Sequence, residues 1–343
     1  MLAAGPVGAQ ENSFITDAVL INPGARSIAL GGAFAAIADD ATAALANPAG
    51  LVQIVRPEIS AEFRGTASTS AFAAPFEADA GVSGLGFFSF VYPGKNWAVA
   101  IYSHQLASLD FTFLEANPFS RELTVQSYSA SFGYQLTDRL SIGVGASYYD
   151  ADSGGSNPDA RTSDSDNGFN AGLLWNAAAH WRIAGFYRQG PDFETSASST
   201  GTTGDPAANS GLIFPDVYGA AASFQPGSGG LTLGFELDRI GSTTEPLPNG
   251  AIVTDGGTEV HLGIEYAILK WKPVVAFRAG FWREPGGDQR IVENAAVASA
   301  VSSSSAEHLS VGFGFAFSRF QLDFGADFSD RAVIGSMSMV ISF

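Results

Sequence analysis

The chain has 343 residues, a formal charge of −17 and a sequence pI near 4.4, which excludes nucleic acid as a partner because phosphate backbones are held by basic patches. It has no cysteine, so a disulfide framework and a Cys-based metal site are both ruled out. Only 15% of its residues are charged, against about 25% in soluble domains, and no run approaches the 18 or so apolar residues of a helical membrane span; strands of about 9–11 residues, apolar at every second position, remain as a way across a bilayer.

In chain order, residues 1–9 read as the tail of a secretory signal. Val7-Gly8-Ala9 fits a small-x-small cleavage site before Gln10. Residues 10–55 show no polar/apolar alternation. They are rich in Ala and Gly, carry Asn-Pro turns at 22–23 and 47–48, and are interrupted by Gly31-Gly32. Asp39 is placed to cap a short helix over 40–46, with Asn47-Pro48 as its stop. A helix that short does not stand alone in water, so this segment must pack on something.

Residues 56–343 alternate almost continuously. Leu231, Leu233, Phe235 and Leu237 fall on one face, opposite Thr232, Gly234, Glu236 and Asp238. Val260, Leu262, Ile264 and Tyr266 likewise oppose His261, Gly263 and Glu265. The polar face is mostly Gly, Ser and Ala with a few acids and arginines, which suits a confined lumen better than open water. Fourteen such runs are predicted, near 57–66, 82–92, 97–113, 123–137, 139–150, 167–178, 180–190, 215–225, 231–241, 257–269, 272–284, 307–318, 320–330 and 332–343. Every second connection is short; those between are long and polar, except the last at 329–331. Sorting by parity into short turns and long loops is expected of an outer-membrane barrel, and the terminal Phe343 agrees. The predicted fold is all-β: a 14-stranded antiparallel outer-membrane barrel over 56–343, its lumen filled by a small plug over 10–55, since fourteen strands enclose more space than side chains fill.

The stretch Gly31–Leu51, with Ala38 to Ala41 (ADDA) and Asn47-Pro48-Ala49, resembles the N-terminal hatch of the FadL/TodX family of outer-membrane transporters. FYRQGPDF at 186–193, FPDVYGAAASF at 214–224, LTLGFELDRI at 231–240 and EVHLGIEY at 259–266 resemble that family's later strands. The resemblance implies a fourteen-stranded barrel closed by a hatch. It also implies a hydrophobic small-molecule ligand, such as a long-chain fatty acid or a hydrocarbon, captured near the extracellular loops, passed to the lumen, and released laterally through the wall when the hatch rearranges. The extended loop pair that forms the family's outer capture site has no counterpart legible in this sequence.

On the inward face, Glu236, Asp238, Glu259, Glu265, Asp323 and Asp327 accompany Arg182, Arg188, Arg278 and Arg283. Buried charges must be paired, so these read first as a network bracing wall and hatch. Arg188 or Arg278 is the candidate contact for a ligand carboxylate, because guanidinium binds carboxylate bidentately. The acidic loop 150–168 reads as a solvated surface; Asp164-Ser165-Asp166-Asn167-Gly168 has its glycine off register for a calcium loop. The four histidines show no ligand spacing, no Gly-x-Ser-x-Gly elbow is present, and neither a cofactor nor an enzyme is predicted. Trp97, Trp175, Trp181, Trp271 and Trp282 read as residues of the membrane-interface girdle. The expected function is passive transport of hydrophobic small molecules by a monomer in the outer membrane of a Gram-negative-type bacterium, in contact with lipid and lipopolysaccharide. The alternative is a FadL-like barrel that does not transport and serves a secretion or surface-anchoring system as a partner.

Overall fold

In the computed structural model, residues 21–68, 76–81, 84–113, 119–155, 162–193, 212–227, 229–247, 250–293, 296–302 and 304–343 are described. The signal-like stretch and Asp159 of the acidic loop lie outside them. Fourteen antiparallel strands close on themselves: β1 (Glu58–Ser68), β2 (Gly84–Pro93), β3 (Trp97–Phe113), β4 (Phe119–Thr137), β5 (Leu140–Gly155), β6 (Thr162–Ala178), β7 (Trp181–Arg188), β8 (Val217–Phe224), β9 (Leu231–Ile240), β10 (Thr258–Ile268), β11 (Val274–Glu284), β12 (Ala306–Ala316), β13 (Phe320–Phe328) and β14 (Ala332–Ser342). Each pairs with its sequence neighbour, and β1 pairs with β14 from Glu58↔Ser342 to Ser68↔Ala332, so no edge is left open.

Side-chain exposure is inverted relative to a soluble sheet. On β10, Leu262, Ile264 and Tyr266 are 44–51% exposed, whereas Glu259, His261 and Glu265 are 6–7% exposed. An apolar outer face over a polar inner one is stable only against lipid. Trp97, Trp175, Trp181 and Trp271 are exposed around the short-turn rim, as interface anchors should be. Trp282 is not among them: it is buried on the inner face.

The wall is uneven. Strands β3 to β6 have 16 to 19 residues, against 8 in β7 and β8, and their extension absorbs much of the two expected polar loops at 113–122 and 151–166. Asp164–Gly168 therefore lies within β6 and forms no calcium-loop turn. The expected loops 242–256 and 285–306 also contain strands, Thr243–Leu247, Gly250–Thr254, Asp288–Glu293 and Ala296–Ser302, which form one antiparallel sheet at the long-loop end.

The β2–β3 seam is irregular. β2 pairs with β3 only from Phe87↔His104 to Pro93↔Ala98, and a separate piece, Phe76–Gly81, pairs with Ser108–Phe113 of β3. Between them Gln105–Ala107 carry no ladder partner on that side among the described residues, and on the other side the register with β4 shifts at the same place. A bulge there turns both Leu106 and Ala107 inward, where they are buried.

Candidate functional site

Residues 21–54 run inside the barrel, almost wholly buried. They contain α1 (Ala25–Ala29), α2 (Ala43–Ala46) and a 3₁₀ turn over Pro48–Gln53. The expected helix over 40–46 is therefore only its last turn. Asp39 does not cap it; that carboxylate pairs with Arg26, while Asp40 accepts from the Thr42 amide and hydroxyl. Neither helix is sustained by local capping.

The wall makes room for this segment with two rows of glycine in register. Gly133, Gly143 and Gly172 align across β4, β5 and β6; Gly234, Gly263 and Gly280 align across β9, β10 and β11. A methyl group on Gly143 would overlap Pro48, and one on Gly280 would overlap the Gly31 nitrogen. Backbone lies directly on backbone, which a side chain at these positions would forbid.

Polar side chains then satisfy the segment's backbone. Ser131 donates to the Ala44 carbonyl at 2.7 Å, Asn170 to Ala44 and Leu45 at 3.0 and 3.1 Å, and Ser223 to Ala36 at 3.0 Å. Glu236 accepts from the Phe34 and Ala35 amides at 2.8 and 2.7 Å. Asn47 is fully buried: it donates to the Ala35 carbonyl at 2.9 Å and the Leu173 carbonyl at 3.2 Å and accepts from the Ala49 amide at 3.2 Å. Pro48 opens the 3₁₀ turn, where a missing N–H costs nothing.

Charges complete the fastening. Arg26 reaches Glu265 at 2.9 Å. Arg278 sits between Glu265 at 2.6 Å and Asp323 at 2.7 Å. Arg182 bonds Ile37 and Gln53, and Arg188 lies 3.3 Å from the Asn22 side chain. Arg283 does not join them. It is exposed and bonded to Ser305, because β11 runs without a register shift and residues 278 and 283 have opposite parity. Trp282 takes the inward place instead, stacked between His261 and His308 at ring distances of 5.6 and 3.7 Å and donating to Asp327 at 3.0 Å. His308, Arg26 and the buried Glu62–Arg64 pair are lumen residues that the sequence alone did not single out. His261 is on the inner face, as its alternation with Val260 and Leu262 predicts. On a strand the signal was available, since Glu259 and His261 are two apart and share a face.

The long-loop half of the lumen is chemically divided. One side is acidic and imidazole-bearing: Asp238, Glu259, His261, Glu284, His308 and Asp327. The other carries an apolar cluster, Leu106, Val125 and Tyr149 packed with Phe193 and Phe214, with His104 buried beside Phe87. Below them Phe87, Val91 and Tyr102 pack with Phe34, Ile37 and Leu51 of the inner segment. The apolar side thus lies along the irregular β2–β3 seam.

No protein-family model and no curated protein sequence matches the chain. Solved structures do. A CymD monoaromatic hydrocarbon channel aligns over 94% of this chain and 98% of its own with a TM-score of 0.65 and 16% identity. The Pseudomonas putida toluene transporter TodX aligns over 94% and 99% with a TM-score of 0.65 and 12% identity. A Pseudomonas aeruginosa FadL homologue aligns over 92% and 98% with a TM-score of 0.64 and 11% identity. At such identities the likeness is one of fold, and with the lipid-facing belt it makes this chain an outer-membrane β-barrel built on the fold shared by CymD, TodX and the FadL homologue.

Proposed function

We propose that the protein carries hydrophobic small molecules, long-chain fatty acids or hydrocarbons, passively across the outer membrane. Residues 21–54 act as its hatch, and the β2–β3 seam as the lateral exit. The observation that carries this reading is the pairing of a lumen blocked by a fastened segment with an apolar cluster, from Phe193 and Leu106 down to Phe87, beside the β2–β3 ladder, where Gln105–Ala107 have no partner among the described residues. A polar solute would meet a bonded barrier along the axis. An apolar one has a lined route toward lipid. The protein works as a monomer, with lipid and lipopolysaccharide around its belt.

Arg188 is the residue we assign to a carboxylate head group, from its half-buried place on the inner wall at Asn22. Arg278 is engaged by two carboxylates, which fits a brace. The experiment is uptake of a labelled fatty acid and a labelled uncharged hydrocarbon in cells lacking other such channels. Both should enter with the wild-type protein. Arg188→Gln should slow the fatty acid and spare the hydrocarbon. Equal losses would sink the head-group assignment, and no uptake of either compound would leave a non-transporting partner of a secretion or surface-anchoring system as the better reading.

A further inference from the structure

Where β9 and β10 face the lumen, Asp238, Glu259 and His261 bring one ligand atom each within 4.8 Å of one another. Glu259 and His261 are successive inward positions of β10, and Asp238 is the cross-strand neighbour of Glu259. The His261 ring is fixed from three directions. Its Nδ1 lies 2.7 Å from the Gly31 carbonyl, which can only accept, so Nδ1 carries the hydrogen. Trp282 stacks on one face, and Gly32 approaches so closely that a methyl group there would come within 2.8 Å of Nδ1. The other nitrogen, Nε2, points at two carboxylates, 3.3 Å from Glu259 and 3.7 Å from Asp238.

That nitrogen makes no hydrogen bond although it is buried; His261 is only 6% exposed. A ring whose Nδ1–H is tied to a backbone carbonyl presents Nε2 as a ligand, which is how metal-binding histidines are oriented. The spacing agrees. Four ligands at the usual zinc distances of about 2.0–2.2 Å stand about 3.4 Å apart, close to the two separations measured from Nε2. A cavity of about 20 Å³, lined by these three residues with Asn22, Gly32 and Trp282, has room for a small ion or one water.

The geometry points to a divalent transition-metal site of the zinc type in the lumen, with Asp238, Glu259 and His261 as ligands and water in the open position. Imidazole with two carboxylates suits zinc and its neighbours; calcium would require six to eight oxygens. Because the same ring holds the Gly31 carbonyl, the bound ion fastens the inner segment to the β9–β10 wall from the long-loop side. The site stands apart from the transport reading, since binding is measured with no transported compound present.

The test uses the full-length, untagged protein in detergent, stripped with chelator and titrated with Zn²⁺ by calorimetry, and separately with Co²⁺ by visible absorption. The expected result is one ion per chain with the intense d–d bands of low-coordinate Co²⁺, and slower amide exchange in residues 24–35 when Zn²⁺ is bound. His261→Gln and Asp238→Asn should each weaken binding by about 10- to 100-fold or more, with folding checked by heat-modifiable mobility on gels. The Co²⁺ spectrum of the wild-type protein decides the matter even if a variant fails to fold. Absence of stoichiometric binding, an octahedral aquo-like Co²⁺ spectrum, or binding unchanged in both folded variants would overturn the site and leave a proton shared between His261 and its carboxylates.

Discussion

Asn47 shows how one side chain can hold a segment whose own backbone is too short to be stable. Its amide bonds span 12 residues to Ala35 and 126 residues to Leu173, so it ties the inner segment both to itself and to β6. Asn47→Ala would leave the Ala49 amide and the Ala35 carbonyl buried and unpaired, at about 1–3 kcal/mol each. Amide exchange in residues 33–54 should accelerate accordingly while the barrel strands keep their protection; unchanged exchange would mean the motif only shapes the turn. The Asn-Pro pair itself was legible, because proline fixes φ and asparagine seeks local backbone. Its partners were not, since nothing local marks Leu173 as near. The misplacement of Arg283 and Trp282 has a different cause. Charge and aromaticity argued for lumen and girdle respectively, and strict period-two geometry overruled both.

Among the elements, the strands were legible because lipid demands apolar residues at every second position, a signal that each strand repeats for itself. The inner helices were not. They are held by glycine rows and long-range hydrogen bonds to the wall, so their ends follow the barrel and not their caps. The four strands at the long-loop end were hidden for another reason: runs such as Gly250–Thr254, of intermediate burial throughout, are short and carry no strict alternation of polar and apolar residues. Within that sheet Glu245 is buried on Thr243–Leu247, and burial, with a smaller push from Asp192, raises its carboxyl from 4.5 to about 7. An acid whose folded-state value is raised binds its proton more tightly when folded, so stability is gained as pH falls from about 7 through 4.5 and lost as it rises again. Amide exchange in residues 243–254, corrected for intrinsic rates, should slow on going from pH 8 to pH 5. Glu245→Gln should remove that dependence; a dependence surviving in the variant would assign it to other groups.

For the whole molecule, the question is whether a lumen so thoroughly bonded can open. Among the described residues the wall is closed by backbone ladders, with register shifts at several places and no β2-side partner for Gln105–Ala107, whereas the hydrogen bonds and ion pairs that fasten the inner segment all use side chains: hydrogen bonds from Ser131, Asn170 and Ser223, the Glu236 carboxylate, and the Arg26–Glu265–Arg278–Asp323 chain. Side-chain fastenings can be exchanged for water one at a time, and backbone ladders cannot, so motion should be confined to the segment. A covalent tether tests this directly, and the chain has no cysteine to interfere. Ser223 donates to the Ala36 carbonyl at 3.0 Å, and Ala36 belongs to the same buried cluster as Ala184 and Ala221 of the wall, so Ala36→Cys with Ser223→Cys puts one thiol on the segment and one on the adjacent wall. With the disulfide verified by mass spectrometry, uptake of the labelled hydrocarbon should stop under oxidising conditions and return on reduction, while the barrel's heat-modifiable mobility stays constant. If the bond forms and uptake continues at the reduced rate, the segment is a fixed part of the lumen, and passage must run past it along the apolar side.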